Sequence, residues 1–309
     1  MKGDRAVAFG AFAVICIVWG TTYLAIRVAV STIPPLLLTS VRYLVAGTIM
    51  FAVARLRGER VPRDRRTLGE LAIVGALLVG VGNLAVVWAE QWVPSGMAAL
   101  LVATAPFWVV VLELFRSDGE RVDLRRGIGM LIGFAGVAML VTPGGAGAAF
   151  DHHFVAGAIV IQLGCVGWQY GTMRGKYNLK HVPTFISSAM QMLIGGVLVG
   201  ICGLAAGELP RFHVTPKTFA ALAYLSLFGS VLAYTAYNVA MKSLRTTTMS
   251  LYSYVNPVVA VILGWVILHE QLTWISITAM AVILAGMALV QVSRRADARR
   301  ITLAERRVA

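Results

Sequence analysis

The sequence predicts an all-α polytopic membrane protein, with ten transmembrane helices arranged as two inverted five-helix repeats (5+5) and both termini cytoplasmic. Three observations carry that reading. Of 309 residues, 58% are hydrophobic and only 13% charged, against roughly 25% charged in a soluble domain. The apolar residues gather into ten stretches of about 20 residues, enough for a helix to cross roughly 30 Å of hydrocarbon. The basic residues fall on alternate connections between those stretches, as they do in membrane proteins of fixed orientation. With 27 Lys+Arg and 14 Asp+Glu, the chain has too few charges to cover a soluble globule of this size. Composition therefore excludes a soluble enzyme, a nucleic-acid-binding module and a disordered chain. A net charge of +13 reports topology rather than a polyanionic ligand.

Span 1 (6–27) comes after Lys2 and Arg5; it runs past twenty residues into Thr21, Thr22 and Tyr23 without a small-residue cleavage site, so it reads as a retained helix and not a signal peptide. Span 2 (35–55) carries Arg42 about eight residues in, or roughly 12 Å along the axis. A guanidinium at that depth must face protein or water. Span 3 (68–91) places Asn83, Glu90 and Gln91 on one stripe, with Glu90 near the external end, within reach of Arg42 as a pair or outer gate. Span 4 (95–116) holds Thr104, Pro106 and Trp108, and span 9 (247–268) holds Tyr252, Asn256 and Pro257. Each proline removes a backbone hydrogen bond and kinks its helix, which is tolerable where protein or a wet cavity satisfies the freed carbonyl. Spans 5 (124–142) and 10 (273–293) are rich in glycine, as in Gly129-x-x-x-Gly133, and allow close helix approach. Span 6 (154–174) sets Gln162, Gln169 and Tyr170 beside Trp168. Span 7 (182–205) contains Gln191 with Gly195 and Gly196. Span 8 (217–240) aligns Ser230, Tyr234, Tyr237 and Asn238 at helical spacing on one face.

Loop charges fix the orientation. The N-terminus, the connections at 55–66, 116–126 and 174–180, Lys242 with Arg245, and the tail after residue 293 hold 23 of the 27 cations; the opposite side keeps Arg27, Arg211 and Lys217. That imbalance puts both termini inside, with the tail 294–309 lying against the anionic inner leaflet.

The halves 1–150 and 151–293 resemble each other. Ala105-Pro106 through Leu112 parallels Asn256-Pro257 through Leu263, with Glu120 and Glu270 respectively beyond them. Gly133 to Ala138 parallels Ile283 to Ala288, Cys16 to Trp19 parallels Cys165 to Trp168, and Pro35, Ser40 and Gly47 parallel Pro183, Ser188 and Gly195. Five spans per unit is an odd number, so the second unit enters the bilayer upside down. Inverted repeats of this kind build alternating-access transporters with the substrate site near the midplane.

The 5+5 pattern, Trp19-Gly20, Arg42-Tyr43, the proline-centred fourth and ninth spans trailed by Glu120 and Glu270, and the glycine-rich fifth and tenth spans together resemble the EamA family of the drug/metabolite transporter superfamily. The stretch from Gly82-Asn83 to Ala89-Glu90, then Val93 to Ala99, is similar to bacterial inner-membrane permeases of that family. The likeness covers essentially 6–293, with one departure: Gln169 stands where the first repeat has Gly20. The resemblance implies a ten-helix bundle around a central cavity that exports small metabolites.

Polar stripes on spans from both halves favour a shared cavity over simple helix-to-helix hydrogen bonding. Trp19, Tyr23, Trp108, Trp168 and Tyr234 give it stacking walls, and polar groups such as Thr22, Arg42, Asn83 and Gln191 orient the solute. Trp92 and Trp274 read as interface anchors. The expected function is a secondary active transporter in the bacterial inner membrane, taking small metabolites such as amino acids or drug-like compounds, with protons as the candidate coupling ion through Glu90. The alternative is a lipid flippase. An intramembrane enzyme is disfavoured: neither paired carboxylates nor an HExxH pattern occurs, and the absence of GxxxxGK[ST] leaves ATP hydrolysis unsupported. No cofactor is expected. Cys16, Cys165 and Cys202 read as small apolar helix residues, and His152 and His153 beside Asp151 are assigned no metal.

Overall fold

The computed structural model describes residues 2–115, 124–142, 151–244, 249 and 251–308, with side chains described over 6–115, 124–142, 151–237, 239–240, 244, 249 and 251–292. The described residues contain helices and no strand. The helices are α1 (Lys2–Ala29), α2 (Pro35–Leu56), α3 (Arg65–Ala89), α4 (Ser95–Leu114), α5 (Leu124–Leu140), α6 (His152–Asn178), α7 (Thr184–Ala205), α8 (Pro216–Tyr224 continuing to Ser243), α9 (Tyr252–Leu268) and α10 (Trp274–Val308). Eight of them are long and apolar enough to cross a bilayer, while α5 and α9 are 17 residues each and begin beside residues outside the described set. Glu120 and the connection 143–150 also lie outside the described residues.

Local chemistry explains the ends. Asp64 accepts from the Thr67 N–H at 2.7 Å at the start of α3, and Asp151 accepts from the Phe154 N–H at 2.8 Å at the start of α6. These bonds satisfy orphan donors of the first turn and hold both carboxyls below their ordinary range. Thr215 and Thr218 form a reciprocal cap at the start of α8. α2 and α7 end alike: Gly58 and Gly207 adopt φ of 77° and 67°, and the next amides, of Glu59 and Glu208, reach back to Ala54 O and Gly203 O at 3.0 Å each. This six-to-one closure needs a left-handed residue, which glycine supplies without strain.

The carboxylates just past these turns cross to the neighbouring helix. Glu59, after α2, accepts from the Ile186 N–H in the first turn of α7 at 2.7 Å. Glu208, after α7, accepts from the Leu36 and Leu37 N–H groups in the first turn of α2 at 3.4 and 3.0 Å. The two helices therefore run antiparallel, each one's exit capping the other's entry. Glu270, after α9, likewise accepts from the Ser95 and Gly96 N–H groups at the start of α4, at 2.7 and 3.1 Å.

Packing interleaves the halves. α1 lies against α8 and α9, and α6 lies against α3 and α4. α5 and α10 meet through glycine: a Cβ placed on Gly286 would stand 2.6 Å from both Gly129 O and Gly133 N, so backbone touches backbone as small residues permit. The core holds small and medium apolar groups such as Leu100, Phe107, Phe154 and Ile161, yet Phe9, Ile17, Leu131, Leu163, Ile201 and Phe219 are exposed. An outward face this apolar fits hydrocarbon, since contact with water would cost roughly 25 cal/mol for each exposed Å². Trp274, expected at an interface, is 84% exposed at the start of α10.

Candidate functional site

Two departures from regular helix shape the centre. α3 widens to a π-helix over Ala76–Asn83, and α8 does so over Leu225–Leu232. Each wide turn is bridged from its end: the Asn83 amide donates to Leu78 O at 3.0 Å, and the Ser230 hydroxyl donates to Leu225 O at 3.1 Å. Such turns are frequent at functional sites. Each also receives an indole. The Trp19 Nε1–H donates to Gly229 O at 3.2 Å, and the Trp168 ring lies where a Cβ on Gly82 would stand 2.9 Å from it.

Between these turns is a cavity of about 200 Å³, well above the roughly 10–15 Å³ that one water needs. α1 contributes Trp19, Thr22 and Tyr23 to its wall, α2 Arg42, and α3 Asn83. Pro106 comes from α4, Trp168 and Gln169 from α6, and Tyr234 from α8. Tyr252, Asn256 and Pro257 complete it from α9. With its amide nitrogen turned toward two carbonyls, Asn256 donates to Cys16 O and Tyr252 O at 3.0 Å each. Trp19 makes an edge contact with Tyr252 at 5.1 Å between ring centroids.

Arg42 is 5% exposed. Its Nε donates to Ser230 Oγ at 3.1 Å, its guanidinium carbon sits 4.9 Å from the Tyr43 ring centroid, and its Nη1 has no hydrogen-bond partner among the described residues. The expected pair with Glu90 does not form. The hydroxyl that the π-turn presents takes Arg42 instead, and Arg27 of α1 donates to the backbone carbonyl of Glu90. Glu90 is fully buried outside the cavity wall, and neither carboxyl oxygen has a hydrogen-bond partner among the described residues.

Other expected site residues also stand behind the wall. α4 breaks at Ala103–Thr104, with Pro106 opening its second segment. There Gln162 of α6 accepts from the Thr104 hydroxyl at 2.9 Å and the Trp108 indole at 2.8 Å, and donates to Leu101 O at 3.1 Å. Gln162 thus satisfies a backbone carbonyl at the break, as freed backbone groups require in lipid, while Thr104 and Trp108 hold its amide oxygen. Pro257, by contrast, lies inside an unbroken α9. The Gln191 amide donates to Ser187 Oγ at 2.9 Å. Tyr237 packs on the far side of Trp19, at 5.7 Å between centroids. The Asn238 side chain lies outside those described.

The cavity wall also includes residues that the sequence does not assign to the site, among them Tyr43, Gly82, Cys165, Gly229 and Ser253. Gly82 and Gly229 carry a usable signal: they stand 147 residues apart, each against a tryptophan of the opposite half. At the start of α6, Asp151, His152 and His153 bring ligand-type atoms within 4.8 Å of one another, all exposed. His153 there serves Asp151, at 3.2 Å, and stacks on Trp92.

Fold and site together define a helical membrane protein built around an internal cavity whose walls come from both halves of the chain. The chain belongs to the EamA-like transporter family, whose model matches it twice, over residues 7–142 and 155–292. It is 37% identical to the "Uncharacterized inner membrane transporter YedA" of Escherichia coli K12 over 93% of this chain and 91% of that protein. It is 25% identical to a "Probable amino-acid metabolite efflux pump" of Salmonella typhimurium, over 88% and 91% of the two chains. A crystal structure 22% identical in sequence superposes with a TM-score of 0.64, covering 96% of this chain and 98% of that one, a likeness of fold alone.

Proposed function

We propose that this chain is a secondary active transporter of the inner membrane, exporting small metabolites such as amino acids or drug-like compounds by alternating access. The observation that carries the reading is the cavity of about 200 Å³ lined by α1 to α4 on one side and α6, α8 and α9 on the other. A mid-bundle chamber shared by two halves is what a rocking mechanism uses. The inner membrane and export come from the similar proteins, whose names carry those words.

The inverted repeat (1–150 and 151–293, then the basic tail 294–309) is supported by matched details. The left-handed glycines 58 and 207, and the crossing carboxylates 59 and 208, are each 149 residues apart, as are the starts of the two π-helical turns at 76 and 225. The family model matches once on each side of residues 143–154, which supports the same division.

Proton coupling belongs to the same proposal. The Glu90 carboxyl, buried and without a hydrogen-bond partner among the described residues, lies within electrostatic reach of Tyr23 and Arg27 of α1, Arg42 of α2 and Glu270 beyond α9. Taking up a proton there neutralises a charge that the bundle otherwise holds at a cost of several kcal/mol. Reconstitution in proteoliposomes tests the reading: saturable counterflow of a water-soluble metabolite is expected, and lipid scrambling without counterflow contradicts it.

A further inference from the structure

We infer that the solute this cavity takes is an amphipathic monocarboxylate, its carboxylate seated on Arg42 and a small aromatic or branched apolar body held against Trp19 and Trp168. The inference rests on the transporter reading above and narrows it to a substrate class.

Among the described residues, Arg42 is the one ionised side chain in the cavity wall, and neither Asp nor Glu lines it. The residue is 95% buried, yet Nη1 has no partner among those described. A guanidinium in a bilayer-depth cavity that leaves a donor open is incomplete by ordinary accounting, because an unmade hydrogen bond from a buried charge is costly. The remainder of the group is fixed. Nε is taken by Ser230, and the face lies against Tyr43. Gly229 leaves room beside Nη2, which a Cβ at that position would approach to 3.5 Å. Arg42 stands in the cavity wall, and a planar carboxylate is the group that a guanidinium fork matches with two parallel bonds.

The rest of the wall sets the other end of the molecule. The Asn83 and Asn256 amide nitrogens are taken by backbone carbonyls, which leaves mainly indole, phenol and apolar surface. A cationic solute would enter beside Arg42 with no carboxylate on the described wall to receive it. A neutral solute could offer a carbonyl oxygen to one guanidinium N–H but neither the countercharge nor the second parallel bond. A cavity of about 200 Å³ has room for one small ring on a short chain.

Three probes sharing one body separate these cases: 3-phenylpropionate, 3-phenylpropionamide and 3-phenylpropylamine. Each is titrated against the purified full-length protein in detergent, with tryptophan emission and melting temperature as readouts. The carboxylate is expected to bind at least about ten-fold more tightly than the amide or the amine, the factor for one charge-assisted bond. Arg42→Gln is expected to remove that preference by bringing carboxylate binding down to within about two-fold of amide binding in the same variant. Arg42→Lys, a point charge without a fork, should keep only part of it. Should Arg42→Gln fail to fold, the comparison of the three probes on the unaltered protein still decides. Equal binding of amide and carboxylate overturns the inference. So does preference for the amine, absence of binding by the carboxylate, or an Arg42→Gln protein that retains the carboxylate within two-fold. Counterflow of some other solute alongside any of these results would leave the transporter reading standing and remove only the substrate class.

Discussion

Replacing Glu208 by alanine tests the reciprocal tie between α2 and α7. The Glu208 carboxylate is 4% exposed and accepts from Leu36 N at 3.4 Å and Leu37 N at 3.0 Å. The longer contact is marginal, so the loss is dominated by one charge-assisted bond at a buried helix entry, worth about 1.5–3 kcal/mol. Alanine also strands first-turn amides, a capping loss of about 0.5–2 kcal/mol that overlaps the same term. The expected destabilisation of Glu208→Ala is about 2–3 kcal/mol. Glu208→Gln keeps an uncharged acceptor and should lose about half as much. Glu59→Ala removes a single bond, to Ile186 N at 2.7 Å, from an exposed carboxylate-bearing turn, and should cost about 1 kcal/mol. Denaturant unfolding in detergent micelles, tracked by tryptophan emission, measures all three. A Glu208→Ala protein within about 0.5 kcal/mol of the unaltered one, or a ranking with Glu59→Ala the most damaging, would refute the cap as the tie.

The geometry makes three further outcomes testable. Gly286→Leu should split α5 from α10, because even a Cβ there meets Gly129 O at 2.6 Å; a melting temperature unchanged from the original would show the backbones are not in contact. Asp64 and Asp151 have carboxyls held low by the amides they cap, so their stabilisation is present above the unfolded value near pH ~3.9 and fades as pH falls through the lower folded value. The melting temperature should therefore be level above about pH 5 and decline below about pH 4, with Asp64→Asn plus Asp151→Asn flattening part of that decline; an unaltered profile counts against it. Glu90→Gln should abolish the dependence of counterflow on a pH gradient, and an unchanged dependence removes Glu90 from coupling.

The long-range plan is more legible in the sequence than the local wall. Hydropathy marks helices because lipid forces every backbone group to be paired within its own segment, and the matches from Cys16/Cys165 to Pro106/Pro257 are visible in the residues alone. Arg42 reaches the cavity because a charged group in an apolar run must turn inward, and Trp19, Trp168 and Tyr252 stand with it in the wall. The departures are also physical. Regular helical spacing puts Ser230, Tyr234 and Tyr237 on one stripe, but Ser230 lies within the π-helical turn of α8 and Tyr237 beyond it, so Ser230 meets Arg42 while Tyr237 packs on Trp19. Thr104 and Trp108 share a helix with Pro106, yet they serve the break in α4 through Gln162. Whether Ser230 or Glu90 satisfies Arg42 depends on a turn that no periodicity announces.

The claim that the two halves enter the bilayer in opposite senses is tested most directly by Arg60→Cys and Leu209→Cys, 149 residues apart and both exposed, each placed in a background with Cys16, Cys165 and Cys202 replaced. A membrane-impermeant maleimide applied to right-side-out and inside-out vesicles should label Cys at 209 only from outside and Cys at 60 only from within. Labelling of both from the same face would contradict the account.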